Sequence, residues 1–234
     1  MALMRTTFLA SGLRAALYLC GLAPAVFVII ALSLNRLPGH GAWADVAGTA
    51  LAVGSLALGA ALWARWLART MGWPHAGRLM TAAAVTYCLA VFADVVALGQ
   101  LEGVFVERRL AGPVPVHIVF AFLFTPAAGL VCALLALVIG RNVGGWRPAL
   151  RLAAWSGLAA GGAFLLADIL QDLLGRRVGG LRAEETLTML SVAFIGNIFA
   201  AFAGGGVIGA RLMAKRQASP AASASPAVQE LPTT

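Results

Sequence analysis

Between His117 and Gly140 the chain runs for 24 residues, HIVFAFLFTPAAGLVCALLALVIG, without one Asp, Glu, Lys or Arg. A helix needs about 20 apolar residues to cross the hydrocarbon of a bilayer. Five more runs of this kind lie at about 15–34, 43–65, 78–98, 149–171 and 187–210. Inside lipid the backbone has no water to bond to, so only helices and closed barrels span it. These runs are continuous, not alternating, and rich in Ala and Leu, which selects helices. The charged fraction agrees, at 11% where a soluble domain carries about 25%.

The expected fold is therefore all-α, a six-transmembrane-helix bundle. Residues 1–14 read as the N-terminus, 15–212 as the transmembrane domain and 213–234 as a tail. The tail sequence QASPAASASPAVQELPTT has too little apolar bulk to bury a core and reads as disordered. The first span reads as a retained helix. Its end, SLNRLP, has no small-x-small site of the kind that closes a signal peptide.

Charge sets the orientation. Short loops keep their Lys and Arg in the cytoplasm. One side of the expected topology carries eleven cations: Arg5, Arg14, Arg65, Arg69, Arg78, Arg141, Arg147, Arg151, Arg211, Lys215 and Arg216. The other carries six: Arg36, Arg108, Arg109, Arg176, Arg177 and Arg182. Both termini are therefore expected in the cytoplasm, in a multi-pass protein of the inner or plasma membrane. The net charge of +8 is loop charge, with no basic stripe among exposed aromatics to suit nucleic acid. The partner this composition implies is the lipid bilayer, with a second copy or a membrane subunit as a further partner.

Two aspartates interrupt the apolar runs, Asp94 in AVFADVVAL and Asp168 in FLLADILQD. Each follows an Arg-Leu start, at Arg78 and Arg151, by about 25 Å of helix. Their surroundings read as a parallel two-helix repeat, spans three and four echoing five and six, an arrangement used by transporters. A carboxylate at this depth needs a partner, a proton or a wet cavity. His117 and Asn197 are the other polar groups in candidate binding positions. Asn197 reads first as an interhelical hydrogen-bonding residue. Gly157, Gly161, Gly205 and Gly209 form two small-xxx-small pairs, and spans five and six are expected to pack closely along them. Pro24 and Pro126 lie inside spans, where each frees a carbonyl.

Several chemistries are not signalled. The cysteines Cys20, Cys88 and Cys132 form no CxxC pair and read as small apolar packers. The three histidines suit no bis-histidine haem site, and no HExxH, Walker A or GxSxG motif occurs. Ser191, His117 and Asp168 make a triad only if the fold gathers them. No cofactor or metal is expected. Three functions remain: a small permease-like transporter using Asp94 and Asp168 for a proton, cation or cationic solute; a non-catalytic accessory subunit; and a membrane enzyme acting at the outer leaflet.

Overall fold

A computed structural model describes residues 2–21, 42–107, 116–178 and 185–218, and among them every ordered element is helical. The helices are α1 (Ala2–Ala15), running into a π-helical turn at Ala16–Gly21, α2 (Ala42–Met71), α3 (Ala76–Glu107), α4 (Val116–Gly144), α5 (Trp146–Val178) and α6 (Glu185–Ala218). Four contain segments long and apolar enough to cross a membrane: Ala76–Ala93, Leu123–Gly144, Trp146–Gln171 and Phe194–Arg216. That is the pattern of a membrane protein. Of the first expected span, 15–34, the part beyond Gly21 lies outside the described residues. In the second, 43–65, the backbone is helical from Ala42, while the side chains before Ala50 lie outside them. The tail from Ser219 onward lies outside them too.

The helices form a ring in chain order, each packed on the next and α6 closing on α1. α6 also reaches across to α4 and α2. Trp63, Leu67, Leu79, Leu135, Ile139 and Ile208 fill the centre, contributed by α2, α3, α4 and α6. The outward surface is apolar as well. Leu58, Leu89, Phe92, Leu130, Leu158 and Leu166 are all exposed, which suits lipid rather than water.

α1 begins well before the expected first span. A Cβ on Gly12 would meet the Phe202 carbonyl oxygen, and one on Gly206 would meet the Phe8 ring. Further along, Cys20 Sγ donates to the Asn197 carbonyl at 3.4 Å. The contacts step backward along α6 as α1 advances, so the two helices are antiparallel and the start of α1 and the end of α6 sit at one end of the bundle. Residues from Phe8 onward are thus already inside the packed body. The two Arg residues before the span do not mark its edge, because Arg14 lays its guanidinium over the Trp66 ring, 4.6 Å from the centroid.

Short turns keep neighbouring helices antiparallel. α2 ends in a reverse turn at Gly72, φ 64°. There the Trp73 N–H donates to the Ala68 carbonyl at 2.9 Å and the Gly72 N–H to the Arg69 carbonyl, the paired bonds of a Schellman cap. Gly145, φ 84°, is the single residue between α4 and α5.

Candidate functional site

The glycine pairs determine how the helices approach, though not in the combination the sequence suggests. Gly157 and Gly161 of α5 face α4, not α6. A Cβ on Gly157 would lie 3.0 Å from both the Ala133 Cβ and the Gly129 carbonyl oxygen. One on Gly161 would lie 3.2 Å from the Thr125 carbonyl oxygen. Gly205 and Gly209 of α6 face α1, against Ala15 and Ser11. Ser11 Oγ donates to the Gly205 carbonyl at 2.7 Å.

Spans five and six do pack, along neighbouring positions. Ser156, Ala160 and Phe164 of α5 meet Gly204, Ala200 and Gly196 of α6. The faces differ because each helix has two ring neighbours. α5 spends its glycines on one and its Ser-Ala-Phe row on the other.

The α4–α5 seam also fixes depth. Position 129 sits beside 157, and 125 beside 161. Two more turns bring His117 level with Ile169, next to Asp168. Asp168 is part-buried on α5. One turn further out, Gln171 Nε2 is buried and has no hydrogen-bond partner among the described residues. Thr125 Oγ1, on α4, is in the same condition. The side chain of His117 lies outside the described residues, as do those of Asp94 and Ser191, so the expected triad has no described geometry.

Asp94 and Asp168 do not share a seam. α3 and α5 make no contact among the described residues, and α4 stands between them. Their positions are not equivalent either. Counting from Arg78 and Arg151, Leu79 matches Leu152, Ala83 matches Ser156 and Tyr87 matches Ala160, all buried. Asp94 then matches Ala167, one residue and about 100° short of Asp168. Any two helices buried at i, i+4 and i+8 would share this step, so it carries no weight for a repeat.

Asn197 departs from its expected role. Its side chain is exposed. Its backbone carbonyl, not its amide, makes the interhelical bond, to Cys20. Cysteine, serine and tyrosine side chains supply polar contacts between helices instead. Ser156 Oγ lies within reach of the Gly204 and Cys132 carbonyls, at 3.2 and 3.4 Å. Tyr87 Oη donates to the Leu19 carbonyl in the π-helical turn at 3.3 Å.

The opposite end of the bundle holds features that the polar residues of the spans do not point to. Arg141 stacks over Trp146 and Arg211 over Trp155, each 5.5 Å from the ring centroid. Arg216 donates to the Thr70 carbonyl. The Arg-bearing ends of all six helices, Arg78 of α3 included, lie at this end. The available signal was a Trp within a few residues of an Arg at the end of α2 (Arg65, Trp66, Arg69) and the start of α5 (Trp146, Arg147, Arg151, Trp155), which is also how interfacial anchors look.

Among the described residues, no three His, Cys, Asp or Glu side chains cluster to hold a metal. Comparison with family models, with curated proteins and with solved structures finds no match in any of the three.

Proposed function

We propose that this chain is a six-span protein of the inner or plasma membrane, with both termini in the cytoplasm, and that it is a small carrier. Asp168 is the residue on which it binds a proton, a cation or a cationic solute. The observation that carries this reading is the placement of Asp168: part-buried on an apolar helix, one turn from a buried amide without a partner among the described residues. An ionisable side chain on an apolar helix is a candidate functional group, and an unmatched buried amide costs about 1–3 kcal/mol. A cationic solute that adds to the interaction Asp168 already makes and offers an acceptor to Gln171 would engage both side chains. Protonating or pairing Asp168 would change the charge carried by α5, the kind of change that carriers built from membrane helices couple to helix movement.

The reading rests on Asp168 singly, since Asp94 belongs to a helix that makes no contact with α5 among the described residues. The test is proton-linked flux in vesicles containing the purified chain, followed with an entrapped pH dye. Asp168→Asn is expected to reduce flux at least tenfold while the protein elutes and melts as the parent does. Asp94→Asn is expected to have a smaller effect. Full flux in Asp168→Asn would remove the carrier reading.

A second reading is favoured by Asn197. Its exposed side chain lies one turn from Phe194, which is 44% exposed, on the same side of α6. An amide on a lipid-facing surface gains from a hydrogen bond to another helix. The chain is then an accessory subunit or self-associating, with this face at the contact. Crosslinking through a cysteine placed at 197 in native membranes distinguishes the two, because an isolated carrier gives no product.

A further inference from the structure

At the Arg-rich end, a cavity of about 180 Å³ opens between α4, α5 and α6. Gly140 and Gly144 of α4, Arg151 and Trp155 of α5, and Arg211 and Lys215 of α6 line it. Three cations therefore border one small space. No carboxylate belongs to the segments around it. The nearest acid along α5 is Asp168, thirteen residues beyond Trp155, which is about 20 Å of helix. Like charges gathered without a counterion repel one another, and an anion in their midst reverses the sign of the interaction.

The local geometry is shaped for such an anion. Lys215 Nζ lies against Gly144, where any side chain would displace it. The start of α5 at Trp146 and the end of α4 at Gly144 bring helix-dipole ends of opposite sign to the cavity, so the three cations set its charge. The cavity also has an apolar side. Leu152 and Leu212 form part of its wall. Its mouth is marked by Trp155, 54% exposed, and the same face of α5 continues to Leu158, 70% exposed. Cations at the rim, a tryptophan at the edge and an aliphatic stripe running inward match a charged headgroup above its acyl chain. A second depression of about 290 Å³ shares Lys215 and repeats the pairing, with Arg216 and Trp73.

We propose that this cavity binds a phosphate-bearing anion through Arg151, Arg211 and Lys215, and that the anion is the headgroup of an acidic membrane lipid. The site is independent of Asp168 and of any transport. It requires only that this end of the bundle lies at a membrane surface.

The test uses the full chain in neutral detergent. It is titrated with a short-chain phosphatidylglycerol, the matching phosphatidylcholine and inorganic phosphate, with bound ligand counted by native mass spectrometry. Phosphatidylglycerol is expected to bind, and phosphatidylcholine and free phosphate to bind far more weakly. The triple variant R151Q/R211Q/K215Q is expected to lose affinity on the order of 100-fold, from about 1 kcal/mol per cation. R65Q/R69Q, which removes two cations from the same end but outside the cavity, is expected to bind as the parent does. Should the triple variant not fold, K215Q alone and R211Q alone are each expected to weaken binding about fivefold. Equal binding of phosphatidylcholine, or an unchanged affinity in K215Q and the triple variant, would overturn the proposal. Free phosphate binding as tightly as the lipid would overturn the lipid as its source.

Discussion

Ser156 has one hydroxyl proton and two carbonyl oxygens within reach, on Cys132 of α4 and Gly204 of α6. It is fully buried where three helices meet. Removing the hydroxyl leaves both carbonyls with their own helical bonds, so the loss is modest. Ser156→Ala is expected to destabilise by about 1 kcal/mol, read from denaturant titration in mixed micelles. Gly204→Leu at the same junction is expected to cost more. Its Cβ alone would lie 2.9 Å from Cys132 Sγ, and overpacking of this kind costs about 1–3 kcal/mol. The sequence marked Asn197 as the interhelical polar residue and passed over Ser156. A side-chain amide is conspicuous in an apolar run. A serine in an Ala-rich helix is not, and its value depends on which carbonyls happen to lie opposite.

At the scale of the element, the glycines of α5 divide by what faces them. Gly157 packs on Gly129 and Ala133 of α4, while a Cβ on Gly162 would meet nothing within 4 Å among the described residues. Gly157→Val is expected to separate α4 from α5 and lower the melting temperature. Gly162→Ala is expected to be neutral or to stabilise by up to about 1 kcal/mol through helix propensity. Thermal melts of the two variants in one detergent check both. If both lowered stability equally, the assigned faces of α5 would be wrong. That α5 carries a close-packing face was legible from Gly157-x-x-x-Gly161. Which helix fills it was not, because small residues permit approach without choosing the neighbour. The same holds for Gly205 and Gly209, which receive Ala15 and Ser11 from a segment at or before the expected edge of the first span.

At the scale of the whole molecule, the ring places cations from six helices at one end, several held by Arg–Trp stacking and by Arg216 on the end of α2. If that end is cytoplasmic, single cysteines at Gly72 and Gly145 label only with reagents that reach the inner face. Labelling of either by an impermeant reagent applied outside intact cells would reverse the orientation. The ring also separates α3 from α5, and so removes the equal-depth aspartate pair as one site. Depth along a helix follows from counting residues at a constant rise. Azimuth around the bundle does not.

Apolar length and the absence of charge were sufficient to indicate a helical membrane protein, as the four apolar helices among the described residues show, because hydrocarbon leaves the backbone no other partner. The grouping of Arg at alternate span ends likewise followed from residue order alone. Only the tertiary structure decided the pairings: which helix each glycine row meets, that Ser156 rather than Asn197 bridges the core, and that Arg151, Arg211 and Lys215 surround one cavity. Those depend on the rotation of each helix about its own axis, and in an all-apolar helix the sequence leaves that rotation nearly free until the neighbours' shapes settle it.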